Sequence, residues 1–154
     1  MPLEIERKFL VNSDVFRKNS TSLEIKQVYL SITEKIAVRV RIDGINASLA
    51  IKSKISDRVN KEYEYSIPVD EAQSLMHLDD HLPVIRKTRY MLVFEGRTWE
   101  VDEFHDDNEG LIVAEIELDT ENDLVDLPPW IGVEVTDDYR YLNSNLSINP
   151  FCKW

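Results

Sequence analysis

Polar and apolar residues alternate along most of this chain, and this period of two is the feature that most restricts its fold. Consecutive side chains of a β-strand point to opposite faces, so the alternation predicts strands with one apolar and one polar face. Eight such strands, separated by short polar turns, are enough to close a small barrel. The predicted strands are Leu3–Val11, Glu24–Ser31, Ile36–Ile42, Ser48–Ile55, Glu62–Ile67, Arg86–Phe94, Thr98–Phe104 and Leu111–Asp119. We therefore predict a fold of the α+β class that is mainly antiparallel β.

Three segments outside these strands are predicted to form short flanking helices. They are Ser13–Lys18, Asp70–Leu78 and Asp137–Leu146. The second begins with Asp70 and has Gln73 three residues later, an arrangement close to a capping box with Asp70 as the N-cap. The 154 residues can build one hydrophobic core and contain no linker-like stretch, so we predict a single domain over residues 1–154.

Charged residues two apart lie on the polar faces of most predicted strands, and within a strand the paired charges usually have the same sign. Like charges side by side do not stabilise a sheet, and a face built only for solubility more often mixes signs. If these faces turned inward, the charges would converge on one channel, which is costly to fold without a highly charged ligand. The alternation alone leaves both orientations open. The cations of this set are Lys8, Arg39, Arg41, Lys52, Lys54, Lys87 and Arg89, and the acids are Glu4, Glu6, Glu62, Glu64, Glu100, Asp102, Glu115 and Glu117.

The chemistry of this set suits a polyphosphate together with a divalent metal. Clustered Lys and Arg side chains bind phosphoryl oxygens, and clustered carboxylates supply the oxygen ligands that Mg²⁺ and Mn²⁺ prefer. The formal net charge of −11 argues against a general nucleic-acid-coating protein. No stretch approaches the roughly 20 apolar residues of a membrane helix. Residues 4–8 are mostly charged where a signal peptide needs an apolar run, so we expect a cytoplasmic protein.

Successive motifs along nearly the whole chain resemble the CYTH superfamily, also called the triphosphate tunnel metalloenzymes. The hallmark of that superfamily is an N-terminal Glu-x-Glu-x-Lys, which residues 4–8 match. The hallmark alone is weak, and the ordered series of further motifs makes the resemblance specific. These motifs are Gln27-Val-Tyr29-Leu30, Arg39-x-Arg41, Lys52-x-Lys54, Glu62-x-Glu64, Lys87-Thr-Arg89-Tyr90, Trp99-Glu-Val-Asp102, Ala114-Glu-Ile-Glu117-Leu118 and Trp130-Ile-Gly-Val-Glu134-Val-Thr136.

The resemblance implies a closed eight-stranded antiparallel barrel whose charged faces line a tunnel, with a triphosphate bound there beside Mg²⁺ or Mn²⁺. Matched position by position, the expected metal ligands are Glu4, Glu6, Asp102 and Glu117, and the expected phosphate-binding residues are Lys8, Arg39, Arg41, Lys52, Lys54, Lys87 and Arg89. The supporting acids are Glu62, Glu64 and Glu100, and of these Glu62 and Glu64 would hold the phosphate-binding cations or a second metal. Asp102 and Glu115 would support a metal or orient the attacking water. Lys8 and Tyr29 would form a hydrogen-bonded catalytic pair, with an ordinary barrel tyrosine as the equal alternative for Tyr29.

The function that this resemblance implies is a metal-dependent triphosphatase that hydrolyses the terminal phosphoanhydride of inorganic tripolyphosphate or another triphosphate. The alternatives with the same fold are an adenylyl cyclase of the class IV type and a thiamine triphosphatase. A non-catalytic polyphosphate-binding module is the alternative from a different class. We expect a triphosphate-containing small molecule as partner, with neither nucleic acid nor membrane, and the sequence leaves a homodimer open.

Overall fold

The computed structural model of the protein describes residues 2–154, which fold mainly into β-strands. The strands are β1 (Leu3–Val11), β2 (Thr21–Ile32), β3 (Ile36–Asp43), β4 (Asn46–Lys54), β5 (Val59–Ile67), β6 (Val84–Phe94), β7 (Arg97–Phe104), β8 (Ile112–Glu117) and β9 (Ile131–Glu134). The α-helices are α1 (Val69–Met76) and α2 (Asn143–Ile148), and 3-10 turns cover Val15–Arg17, Asp106–Asn108, Tyr139–Tyr141 and Phe151–Lys153.

All strand pairs are antiparallel, and the sheet closes on itself through β1. The order around the wall is β5-β4-β3-β2-β6-β7-β8-β1, and β1 returns to β5 through Leu3–Ile5. The opposite edge of β1 pairs with β8 through Glu6–Leu10. Beyond its contact with β5, β1 pairs near Phe9 and Val11 with β9, which extends the wall on that side. The predicted closed barrel of eight antiparallel strands is therefore confirmed, with β9 as an additional strand.

The two-residue turn between β6 and β7 illustrates how local sequence sets the strand register. Glu95 and Gly96 both have positive φ, at 49° and 75°. A two-residue turn of this kind has a backbone twist that matches the right-handed twist of the flanking strands. It holds Phe94 opposite Arg97, and the resulting register brings Arg89 opposite Asp102.

The predicted helices are present only in shortened form, and the predicted N-cap is wrong. Helix α1 begins at Val69 after Pro68, whose carbonyl accepts the first helical hydrogen bond from the backbone N–H of Ala72. Asp70 lies inside the first turn, and its carboxylate accepts from the neighbouring backbone N–H of Glu71. Proline already has the extended φ and ψ of a capping position, so the chain enters the helix one residue before the expected start.

The other two predicted helices also differ from their expected bounds. The first, Ser13–Lys18, contains only the 3-10 turn over residues 15–17. The third, Asp137–Leu146, is divided into a 3-10 turn and α2, because Leu142 between them is extended with ψ of 133°. The Asp138 side chain caps the turn by accepting from the backbone N–H of Arg140. None of the helices within residues 2–154 is long and apolar enough to cross a bilayer.

The main hydrophobic clusters lie on the outer surface of the barrel wall. Outward-facing residues of β1, β7 and β8 pack beneath Phe16 and Trp130, which come from the segments that cover this side. Phe9 and Trp99 meet edge to face with ring centroids 5.7 Å apart, and Trp99 meets Trp130 at 5.9 Å. A second cluster lies under α1 on the outer faces of β2, β3 and β4. Covering the outer faces with apolar contacts leaves the polar faces to the interior.

One end of the barrel interior is filled by apolar side chains, which we call the apolar plug. Its buried members are Ile85, Phe104, Leu111, Val113, Val135, Tyr141 and Leu146. Ile85 and Val113 stand two residues before Lys87 and Glu115 on the same strands, so they point to the same side of the wall. Tyr141 and Leu146 close this end from the C-terminal segment. The interior therefore changes from apolar to charged along the barrel axis.

Candidate active site

The charged part of the interior is a cavity of about 630 Å³ enclosed by the barrel wall. Its lining cations are Lys8, Arg39, Arg41, Lys52, Lys87, Arg89 and Arg97, and its lining acids are Glu4, Glu6, Asp43, Glu62, Glu64, Glu100, Glu115, Glu117 and Asp119. The like-signed pairs of the sequence thus turn inward. All of the predicted site residues line the cavity except Lys54 and Asp102. Arg97, Asp43 and Asp119 were not among the predicted residues.

Lys54 and Asp102 differ from the other predicted residues in their surroundings. Lys54 is the last residue of β4, where its side chain is exposed and forms an ion pair with Asp57 at 3.2 Å. Asp102 is 1% exposed and lies behind the cavity lining. Both of its carboxylate oxygens are occupied by cations of the neighbouring strand β6, with no oxygen directed at the cavity. The geometry favours a supporting role for Asp102 over a role as a metal ligand.

Asp102 holds two cavity cations in place. Its carboxylate accepts from Lys87 Nζ at 2.7 Å and from Arg89 Nε and Nη2 at 2.8 and 2.9 Å. Burial alone would raise the pKa of Asp102, but Lys87 and Arg89 hold it well below its usual range. Burial, aided by Arg89 and Arg41, lowers the pKa of Lys87 to about 7 against the opposing effect of Asp102. An entering phosphate would therefore stabilise the charged form of Lys87.

The Lys87 ammonium also contacts a residue that the sequence did not point to. Its Nζ donates to Oδ1 of Asn143 at 2.9 Å, and the same oxygen accepts from Gln27 Nε2 at 3.1 Å. Gln27 Oε1 in turn accepts from Arg41 Nε at 2.9 Å. Gln27 shares the inward parity of Tyr29, which could have revealed it. Asn143 comes from α2, outside the strand pattern, so no signal of alternation could have found it.

On the opposite part of the wall, acids of β1 and β5 hold the cations of β3 and β4. Arg39 donates to Glu64 at 2.9 Å, and Lys52 donates to Glu4 at 3.0 Å. Glu62 lies within 3.7 Å of Arg39 and within 3.5 Å of Lys52. Ala50 stands between Arg39 and Glu64 in the strand register, and its small side chain lets the guanidinium reach across. These contacts fit the cation-holding alternative that was predicted for Glu62 and Glu64.

The pairing of β1 with β8 concentrates carboxylates on one side of the cavity. Glu6 stands directly opposite Glu117, while Glu115 stands opposite both Lys8 and Glu100. Burial and the nearby Glu115 raise the pKa of Glu6 well above the usual glutamate range. Burial raises the pKa of Glu117 too, with further contributions from Glu4 and Glu115. Within residues 2–154, Glu6 and Glu117 form no ion pair, so their repulsion is only partly compensated.

These carboxylates fit a divalent metal by their chemistry. No three acidic, His or Cys side chains within the described residues converge closely enough to hold a metal ion as they stand. However, Glu6 and Glu117 are hard oxygen donors whose ionised forms are disfavoured by burial and by their acidic neighbours. Mg²⁺ and Mn²⁺ prefer such oxygen ligands, and their charge would relieve this repulsion. Glu4, now drawn to Lys52, is the third donor on this side.

Lys8 and Tyr29 both line the cavity, but Lys8 directs its hydrogen bond elsewhere. Its Nζ donates to the backbone carbonyl of Tyr141 at 3.2 Å and lies 3.7 Å from the carboxylate of Glu115. Burial would raise the pKa of Glu115, yet Lys8 and the more distant Arg89 lower it to about 2. Glu115 is therefore ionised across the physiological pH range, and Lys8 is fixed beside it.

The barrel is closed and antiparallel, with cations on some strands and mutually repelling carboxylates on others facing its interior. This arrangement defines a tunnel-type domain for highly charged small molecules. The family model of the CYTH domain matches residues 2–147, so the chain belongs to this family, as the resemblance of its motifs predicted. The chain is 46% identical over 151 residues to the inorganic triphosphatase of Acetivibrio thermocellus, covering 98% of this chain and 97% of that relative.

Two further comparisons agree with this assignment. The chain is 33% identical over 151 residues to the inorganic triphosphatase of Nitrosomonas europaea, covering 95% of this chain and 97% of that protein. The crystal structure of an inorganic triphosphatase superimposes with a TM-score of 0.67 at 32% identity, covering 94% of each chain. The similarity therefore extends over nearly the whole length of these relatives as well as of this chain.

Proposed function

We propose that this protein is a metal-dependent inorganic triphosphatase that hydrolyses the terminal phosphoanhydride of tripolyphosphate inside the barrel. The observation that carries this proposal is the division of one enclosed cavity into two sides. Cations of β3, β4 and β6 line one side, and carboxylates of β1 and β8 line the other, where Glu6 and Glu117 form no ion pair within residues 2–154. The names of the two relatives reported above support the same activity.

Substrate binding is assigned to the cations that already have fixed partners. Arg39, Lys52, Lys87 and Arg89 are held by acids or by Asn143, so their donors are oriented before a ligand arrives. Guanidinium and ammonium groups bind phosphoryl oxygens through charge-assisted hydrogen bonds. A row of such groups suits an extended triphosphate, and orthophosphate alone would reach too few of them.

Catalysis in this proposal is mostly positioning and electrostatics, since phosphoryl transfer needs little covalent help from the protein. Glu4, Glu6 and Glu117 would hold the Mg²⁺ or Mn²⁺, which when bound supplies charge stabilisation to the terminal phosphoryl group. Glu115 stays ionised and accepts a hydrogen bond from the attacking water, with Lys8 holding it in place. The water oxygen bonds to the terminal phosphorus while the bond between that phosphorus and the bridging oxygen breaks. The bridging oxygen leaves with pyrophosphate, the terminal group becomes orthophosphate, and the water protons end on these products.

The test is a phosphate-release assay over tripolyphosphate, ATP, GTP and thiamine triphosphate, each with Mg²⁺ or Mn²⁺. We expect kcat/KM to be highest for tripolyphosphate. The apolar plug closes one end of the cavity, so a nucleoside or thiamine group attached to the triphosphate could not extend through that end. Preference for thiamine triphosphate, or formation of cyclic AMP and pyrophosphate from ATP, would assign the site to another reaction. Binding of tripolyphosphate with no release of phosphate would instead indicate a polyphosphate-binding module.

Acidic pH is expected to inactivate the enzyme through the carboxylates that would bind metal. Glu6 and Glu117 must be ionised to hold a cation, and their raised pKa values place proton uptake above the usual glutamate range. Lowering the pH should therefore reduce kcat/KM well before ordinary carboxylates titrate. Because metal and protons compete for the same oxygens, a tenfold increase in Mg²⁺ should shift the acidic midpoint down by up to about one pH unit. A midpoint independent of Mg²⁺ would contradict the metal assignment.

Tripolyphosphate is expected to stabilise the fold. The lining cations repel one another, and a bound polyanion offsets that repulsion in the folded state only. At a ligand concentration a hundredfold above Kd, the gain is about 2.7 kcal/mol, which for a chain of this length raises the Tm by about 5–10 °C. Differential scanning fluorimetry with tripolyphosphate and with orthophosphate measures the effect. Equal shifts with the two ligands would show that the cavity does not select a triphosphate.

A further inference from the structure

Asn143 reaches the charged cavity from outside the barrel wall. It is the first residue of α2, beside the apolar plug, and it lines the cavity together with Leu142 and Ser144. Its side-chain oxygen accepts two hydrogen bonds, from Lys87 Nζ at 2.9 Å and from Gln27 Nε2 at 3.1 Å. One amide is thus the meeting point of donors from β2 and β6.

The direction of each hydrogen bond in this network is fixed by chemistry. A guanidinium carries donors only, so Arg41 must donate to Gln27 Oε1, and Lys87 in its charged form likewise donates to Asn143. The remaining end of the Gln27 amide is its Nε2, which must donate in turn to Asn143. Lys87 and Gln27 therefore both need an acceptor, so Asn143 presents its Oδ1 to them and its Nδ2 is directed away from these two groups.

That amide nitrogen has no hydrogen-bond partner within residues 2–154, and Asn143 is a partly exposed residue of the cavity lining. By contrast, the Nδ2 of Asn145 on the same helix is both buried and unpartnered. Asn143 Nδ2 carries two N–H donors beside the apolar plug, at the end of the cavity where Lys87 and Arg41 supply cationic donors. Lys87 and Asn143 are in direct contact, so an acceptor bound beside Lys87 lies close enough to Asn143 to be reached by this group.

We propose that Asn143 is a substrate-binding residue, whose Nδ2 donates a hydrogen bond to an oxygen of the phosphoryl group lying deepest in the cavity. The inference rests on the proposed function, since it takes the ligand to be a polyphosphate. Asn143 would add a neutral, directional donor to the surrounding charges and make α2 part of the binding site. The competing explanation is that Asn143 only positions the Lys87 ammonium and never contacts the ligand.

A double-mutant cycle separates the two explanations, with the Kd of tripolyphosphate measured by calorimetry without metal. Asn143→Ala should weaken binding about tenfold, the effect of losing one hydrogen bond to a charged group. If Asn143 contacts the ligand, the same factor should appear in the Lys87→Met background, because the contact does not pass through Lys87. A loss that vanishes in that background would overturn the proposal.

Controls keep the outcome specific. Asn149→Ala, the same change at the exposed end of α2, should leave Kd unchanged and report any effect of weakening the helix. Asn143→Asp keeps both acceptor contacts and replaces the free donor with an anionic oxygen, so it should weaken binding more than Asn143→Ala does. Wild-type-like affinity of Asn143→Asp would refute the donor role. Failure of the wild-type protein to bind tripolyphosphate both without metal and with Mg²⁺ would refute the proposed function itself, whereas normal wild-type binding with unaffected variants refutes only this inference.

Discussion

Replacing Glu6 by Gln is expected to lower kcat/KM for tripolyphosphate by about a thousandfold or more without destabilising the fold. In the proposed site, Glu6 is a metal ligand, and losing the charge stabilisation of a bound metal costs several kcal/mol in the transition state, at 1.36 kcal/mol per factor of ten. The folded protein, however, disfavours the ionised form of Glu6 because of burial and the nearby Glu115. A neutral amide of the same shape removes that repulsion, so the free energy of unfolding should stay constant or rise.

The combination of inactivity with full stability is what identifies a functional carboxylate. Steady-state kinetics with saturating Mg²⁺ and urea denaturation of the metal-free protein provide the two measurements. Glu34→Gln, in the exposed turn between β2 and β3, makes the same chemical change outside the cavity and should alter neither quantity. Retention of activity in Glu6→Gln would exclude Glu6 as a metal ligand, and a large loss of stability would assign it a structural role.

The opposite pattern, with stability as the main loss, is expected for Asp102→Asn. This substitution leaves Lys87 and Arg89 buried without the carboxylate that both contact within 2.9 Å. Breaking a buried ion pair on one side typically costs 3–5 kcal/mol, which corresponds to a decrease in Tm of roughly 6–20 °C for a chain of this length. The folded pKa of Asp102 lies below its unfolded value, so the stabilisation is present at pH 7 and is lost only as the pH falls through the folded pKa.

Urea denaturation at pH 7 measures this loss, and a matched change elsewhere calibrates it. Asp106→Asn disrupts a half-exposed contact with Arg86 at 3.3 Å and should cost at most about 1 kcal/mol. Adding Lys87→Met to Asp102→Asn removes one of the two uncompensated cations and should recover part of the stability. A cost for Asp102→Asn no greater than that for Asp106→Asn would show that the buried carboxylate does not stabilise the cations.

The alternation of the sequence was sufficient to predict the eight strands of the barrel because each is long enough to repeat the pattern, and the closed tunnel followed from the resemblance to the CYTH superfamily. The predicted bounds of β1, Leu3–Val11, agree with the structure at both ends. Strand β9 was missed because it spans only four residues, and Gly132 interrupts their side-chain pattern. A Cβ at Gly132 would come within 3.1 Å of the Leu10 carbonyl oxygen, so the close approach of β9 to β1 favours glycine at this position. The same glycine interrupts the alternation from which the strand could have been predicted.

The site was predictable where it follows strand parity and unpredictable where it depends on depth or on other elements. Parity placed Glu6, Glu115 and their like-charged partners on one face of their strands, and the resemblance to the CYTH superfamily implied that this face turns inward. It could not show that Lys54 lies at a strand end near Asp57, or that Asp102 lies behind the cavity lining. Asn143 enters the site through the packing of the C-terminal segment against the barrel, a contact between parts of the chain that no local pattern encodes.

The pairing of β1 with β8 and β9 has a consequence for how the protein is made. Arg7 and Glu134 are 127 residues apart and form an ion pair at 2.6 Å on one edge of β1, and Glu6 stands opposite Glu117 on the other edge. During synthesis, β1 emerges from the ribosome before β5, β8 and β9, with which it pairs. Its two edges are therefore not both paired until nearly all the other strands have emerged. Such non-local pairing is slow, and unpaired strand edges are prone to aggregate. A nascent chain therefore has no functional carboxylate cluster until β8 has emerged, and protection of β1 by chaperones should matter most in that interval.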